Sequence, residues 1–159
     1  MGAKGEALAK QFEAKAQEAT GVLEKLSDAD WRKVTDAEKW SVGVTAHHVA
    51  GSHEPITGIV KAVVGGQSLG NFTMDMLHEM NARHAKEHAN CTKPETIELH
   101  KKGAAAAAAV VRGLSDDQLS KSGTVLTDVP PMTAEQVVTG ILIKHIDDHF
   151  GSIRRTVGR

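Results

Sequence analysis

Apolar residues recur along this chain at steps of three and four, the spacing of one helix face. In the first stretch Leu8, Phe12, Ala16, Ala19, Leu23 and Leu26 keep that rhythm, which predicts a helix over about residues 5–26. "LSDADW" then opens a short turn at Ser27-Asp28, and a polar loop runs to Trp40. Ser41 is suited to cap a second helix, "SVGVTAHHVAGSHEPITGIVKAVVG", because its oxygen can accept from an unpaired first-turn N–H. Pro55 should kink or break that helix, and Gly65-Gly66 should end it. "GQSLGNFTMD" reads as a loop or long crossover, followed by a third helical stretch over about residues 74–89. In "CTKPETIELHKKGAAAAAAVVRGL" Pro94 suits the first turn of a further helix, where its missing N–H costs nothing, and argues against one continuous helix through it. Ser115 with Gln118, and Thr133 with Gln136, match the capping box. The first pair opens a short turn, "SGTVLTDVPP" is a loop, and the second pair starts a last helix to about residue 156. "LSDADW" and "LSDDQL" echo one another, each after a long helix and before a loop, a cap and a His-bearing helix. Recurrent capping signals and two related helical hairpins account for the echo equally well. The expected fold is all-α, an antiparallel four-helix bundle with one long crossover connection.

Composition narrows the class. A chain of 159 residues suits one domain, residues 1–159, with its own core. Abundant alanine, five aromatic residues in all and little β-branched alternation favour helices packed closely through small side chains. With 19 basic and 20 acidic residues the formal charge is -1, which leaves no electrostatic footprint for nucleic acid and no basic cluster for a membrane surface. The single cysteine, Cys91, excludes an internal disulfide framework and fits a reducing compartment. The N-terminal stretch has neither the apolar segment of a signal peptide nor the Ser or Thr of a myristoylation signal. No apolar run reaches the roughly 18–20 residues of a membrane span. The expectation is a soluble, cytoplasmic protein.

Nine histidines invite a search for a metal site. In "KHIDDHFGSIRR" His145 and His149 lie four apart, on one helix face. Val138, Ile141, Leu142, Ile146 and Ile153 share that stripe, so both imidazoles should face the interior. Buried imidazole nitrogens need partners, and a divalent ion supplies one to each. A third ligand is sought in "AHHVAGSH". His48 shares a stripe with Val44, Gly51, Ser52 and Ile59, where small residues leave room for an ion and its water. His47 points about 100° away and is the second candidate, while His53 lies roughly 140° from His48. Three neutral imidazoles around Zn²⁺ leave a fourth position open, as at catalytic rather than structural sites; Ni²⁺ or Fe²⁺ suits the same ligands. Water in that position becomes a nucleophile near neutral pH, and a thiol there is held deprotonated. His84 and His88 repeat the spacing in a more charged segment, and the plainer expectation for them, as for His78 and His100, is a solvated or rim-facing position. Asn81 could orient a substrate and Asp148 could orient His145, but polar helix surface is the simpler reading of both. The same holds for Arg154 and Arg155. Cys91 reads as a small loop residue, and Trp40 as a hydrophobic staple before the Ser41 cap.

The segments "KWSVGVTAHHVAG" and "KHIDDHFGSIRR" resemble two motifs of the DinB-like (DinB/YfiT-like) metalloenzyme family. The first is a Trp-Ser start to the second helix, with a histidine ligand eight residues after the Trp, here His48. The second places two histidines, here His145 and His149, ahead of a Gly/Gln-Ile-Arg stretch. "LSDDQL" extends the resemblance, which covers nearly the whole chain. It implies a four-helix bundle with a long crossover, one divalent metal at one end, and frequent homodimers. Characterised members perform thiol-dependent S-transfer or, in one branch, mycothiol-dependent isomerisation of maleylpyruvate. In that branch a carboxylate replaces one last-helix ligand; this chain has His145 there. The functional expectation is a metal-dependent enzyme acting on a small molecule through water or a low-molecular-weight thiol, as an S-transferase or hydrolase. A non-catalytic, stress-related protein with a structural or sensing metal site is the alternative. Packed histidines with no metal are a third reading.

Overall fold

In the computed structural model, which describes residues 2–158, four long helical runs form the body. They are α1 (Ala3–Lys25), the broken pair α3 (Val42–Ala50) and α4 (His53–Val64), α6 (Lys93–Arg112), and a last run made of α8 (Ala134–Val137), a π-helical segment (Val138–Ile143) and α9 (Lys144–Val157). α1 packs most extensively on α6, α6 also packs on α3 and α4, and α3 packs on α9. The long crossover between α4 and α6 carries its own helix, α5 (Met74–Glu87). The chain thus forms the expected all-α, antiparallel four-helix bundle.

Local signals explain most boundaries. Ser41 accepts from the Val44 N–H at the start of α3. Capping boxes close at Ser27 with Asp30, Thr92 with Glu95, Ser115 with Gln118 and Thr133 with Gln136. The first and third turn the two short turns into one-turn helices, α2 (Asp28–Arg32) and α7 (Asp116–Leu119). Pro94 lies in the first turn of α6, separating it from α5.

Three features refine the expected pattern, the first of them a break that Pro55 foretold. The second helix breaks at Gly51-Ser52, ahead of Pro55, which lies in the first turn of α4, where a missing N–H leaves no bond unmade. The loop before α8 contains a two-residue antiparallel ladder, β1 (Ser122–Gly123) against β2 (Met132–Thr133). The last helix widens to π-helix just before His145, a local change of winding often found at functional sites.

The core is built from Phe12, Leu23, Val49, Val60, Leu142, Phe150 and Ile153, with Ala104, Ala107 and Ala108 as the inward face of the alanine run. Small residues let the helices approach: a Cβ on Gly103 would lie 3.3 Å from the Ala50 carbonyl oxygen. His100, expected at a solvated position, is instead 1% exposed. Its Nε2 donates to the Ala16 carbonyl at 2.9 Å, and its Nδ1 then accepts from His53 Nε2 at 3.0 Å. Among the described residues no helix is long and apolar enough to cross a membrane.

Candidate metal centre

His48 leaves the last turn of α3, and His145 and His149 occupy successive turns of α9. The structure brings the three together. His48 Nε2 and His145 Nε2 lie 2.9 Å apart, and one donor atom from each ring falls within 4.8 Å of the others. The ring centroids are 4.7 Å apart for His48 and His145, 5.0 Å for His48 and His149, and 4.5 Å for His145 and His149. Trp40 meets the His48 ring edge-on at 5.2 Å, so it braces this imidazole as well as preceding the Ser41 cap.

Glu38 is the residue of the candidate site that sequence reasoning missed. Its side chain is only 8% exposed, and its Oε2 lies 2.6 Å from His149 Nδ1. The other carboxylate oxygen accepts from Ser152 Oγ at 2.6 Å. Burial acts to raise the Glu38 pKa, but hydrogen bonds from Ser152, His149 and Thr35 outweigh it and hold the carboxyl below its ordinary value. An ionised Glu38 directs the Nδ1 proton of His149 to itself and leaves Nε2 free as a ligand. The turn that presents it is tight: Thr35 N–H donates to the Trp40 carbonyl, Lys39 N–H to that of Thr35, and Lys39 takes a left-handed φ of 62°. The only sequence signal was a carboxylate in a polar loop beside the Trp-Ser motif. Asp148, the carboxylate weighed from sequence, is exposed and pairs with Lys144 at 2.6 Å. Arg155 pairs with Asp36 at 3.5 Å.

The donor set suits a divalent cation. Burial, then the neighbouring imidazoles of His149 and His84, push the His48 pKa down to about 3. Burial, then His48 and His149, push that of His145 down to about 2. Both rings are therefore neutral at pH 7, the form that binds metal. Their mutual contact satisfies one donor and one acceptor only, and His145 Nδ1 is buried with no hydrogen-bond partner among the described residues. Zn–N bonds of about 2.0–2.1 Å put tetrahedral ligand nitrogens about 3.3 Å apart, so a small parting of His48 from His145 would admit the ion. Among the described residues the group contains no fourth His, Cys, Asp or Glu donor.

A cavity of about 420 Å³ opens on the three imidazoles. Ile56, Ile59, Phe72, Leu77, Met80 and Leu126 make its wall apolar, and Ser52, Asn81 and His84 add polar atoms. Asn81 thus does reach the cleft. His84, expected at the rim, is half-buried, with its Nε2 2.9 Å from His47 Nδ1. Burial, then His47 and His88, push its pKa down to about 4. His47 lies outside the His48 group and joins His84 and His88 instead.

A four-helix bundle whose second and last helices bring three histidines together defines a protein of the DinB-like class. More narrowly, the chain belongs to the family described as the mycothiol maleylpyruvate isomerase N-terminal domain, whose model matches residues 12–141. That match includes His48 and ends before His145 and His149. Comparison with curated proteins gives no match. Among solved structures, YfiT from Bacillus subtilis, described as a probable metal-dependent hydrolase with an unusual four-helix bundle topology, has a TM-score of 0.70 at 18% identity, over 98% of this chain and 86% of YfiT. The mycothiol-dependent maleylpyruvate isomerase has a TM-score of 0.72 at 13% identity. A point mutant of that isomerase gives 0.74 at 11%. Both alignments cover 94% of this chain, which spans 60% of the isomerase's length. At these identities the likeness is one of fold.

Proposed function

We propose that His48, His145 and His149 hold one divalent metal ion, Zn²⁺ foremost with Ni²⁺ or Fe²⁺ as alternatives, in an enzyme acting on a small electrophile. The observation that carries this reading is the meeting of three imidazoles, one of them oriented by Glu38, at the mouth of an apolar cavity, with no fourth donor in the group among the described residues. That openness favours catalysis over a structural or sensing clip. A divalent ion held there supplies Lewis acidity that lowers the pKa of a water or thiol entering its open position. The chain's own residues do the rest. Glu38 fixes the tautomer and orientation of His149, and Trp40 supports the His48 ring. Ile59, Phe72 and Leu126 exclude bulk water from the apolar part of the substrate, while Asn81 and Ser52 offer hydrogen bonds to its polar end.

Family membership supports a low-molecular-weight thiol as co-substrate, and the DinB-like resemblance supports S-transfer; hydrolysis needs only water at the same position. The family resemblance also supports a homodimer, which analytical ultracentrifugation checks, and the single cysteine supports a reducing, cytoplasmic compartment. The central test is metal content by mass spectrometry on untagged protein beside His48→Ala and His145→Ala. The expected result is an ion held in the wild type and lost from this site in both variants. Variants that lose stability but keep the wild-type metal content would leave only packed histidines. With the ion established, turnover of an electrophile only when a thiol is added selects the transferase, turnover in water alone selects the hydrolase, and neither selects the non-catalytic reading.

A further inference from the structure

The crossover helix α5 is held to the body unlike any other long helix. None of its residues is fully buried, and its principal neighbour is α3. Imidazoles occupy that contact. His47 comes from α3; His84 lies in the last turn of α5, and His88 caps it four residues on. His47 Nδ1 is 2.9 Å from His84 Nε2. The His47 and His88 rings stack with centroids 4.2 Å apart, and those of His84 and His88 are 4.6 Å apart. One donor atom from each ring lies within 4.8 Å of the others, and His84 Nδ1 is buried with no hydrogen-bond partner among the described residues.

We propose that His47, His84 and His88 form a second divalent-metal site, separate from the His48 centre, that clips α5 to α3. The arrangement repeats the first: two histidines four apart on one helix, a third from the tandem pair on α3, and two facing nitrogens at 2.9 Å. An all-imidazole donor set suits Zn²⁺, Ni²⁺ or Cu²⁺ and not Mg²⁺ or Ca²⁺, which take oxygen ligands. Packing alone accounts for this cluster poorly. Three imidazoles have drawn together where α5, a helix that buries little else, meets α3, and one buried nitrogen among them has no hydrogen-bond partner among the described residues. The clip has a consequence for the cavity. Leu77, Met80, Asn81 and His84 all belong to α5 and line it, so an ion at this site fixes one wall. The His48 and His84 rings approach to 5.6 Å, which makes the two sites neighbours.

The test uses the full chain stripped with EDTA, reloaded with Zn²⁺ and desalted. Bound zinc is counted by mass spectrometry for the wild type, His88→Ala, His88→Asn, His149→Ala and, as an exposed control on α5, His78→Ala, with circular dichroism to verify folding. The expected result is two ions per chain in the wild type and His78→Ala, and one in each folded His88 variant and in His149→Ala. In His149→Ala, which retains only the second site, Zn²⁺ should slow proteolytic cleavage within α5; in the His88 variants it should not. Folded His88 variants holding as much zinc as the wild type would overturn the second site, whatever the fate of the first. A single wild-type ion lost in the His88 variants but kept in His149→Ala would sustain the second site and overturn the proposed function instead.

Discussion

Glu38 shows how much of the candidate centre turns on one side chain. Its carboxylate joins Ser152 and His149 across the gap between a loop and α9. Carboxylate partners of this kind orient a ligating imidazole and raise its basicity, and their loss costs about 10–100-fold in metal affinity. Glu38→Gln should therefore weaken Zn²⁺ binding at the His48 centre by about that factor, measured in competition with a chromophoric chelator. Unchanged affinity would reduce Glu38 to a bystander. His48, His145 and His149 were legible from sequence because helical spacing and two local motifs single them out. Glu38 was not. Its part comes from the turn through Lys39, which folds a loop carboxylate beneath a helix more than a hundred residues away in sequence.

At the scale of elements, α3 carries the greatest constraint. Every residue from Val42 to Ala50 is buried, and its two consecutive histidines serve two different clusters. Gly43 gives Trp31 its place: a Cβ there would sit within 2.5 Å of the indole ring, whose N–H donates to the Cys91 carbonyl at 3.0 Å. Gly43→Ala should destabilise the fold by about 1–3 kcal/mol through overpacking, read as a lower urea midpoint with unchanged m-value. A neutral outcome would mean that α2 shifts freely against α3. Removing the α3 cap by Ser41→Ala should cost about 1 kcal/mol, again measured by urea unfolding. The caps, the prolines and the Gly65 terminus were readable because each acts within a turn of itself. The π-helical segment was not, because Val138–Ile143 carries no local residue code for the wider winding.

For the molecule as a whole, buried neutral histidines make acid the natural denaturant. Burial, then His100, push the His53 pKa down to about 3, and His48 lies equally low for the reasons above. Above about pH 6.5 these rings are neutral in folded and unfolded chains alike. Below it the unfolded chain takes up protons that the folded chain refuses until about pH 3. Stability of the metal-free protein should thus be level above pH 6.5 and fall as pH drops through that window. Urea midpoints at pH 8, 6.5 and 5 in EDTA check this, and equal values at pH 8 and 5 would contradict it. Within the chain, the sequence by itself determined the helices, most of their ends and the inward face of α9, since apolar periodicity and caps are short-range properties. Only the tertiary structure decided that His100 is buried beside His53, that Glu38 reaches His149, and that α5 lays His84 and His88 against His47. Those outcomes depend on how separate helices approach one another, and no local pattern of residues encodes that approach.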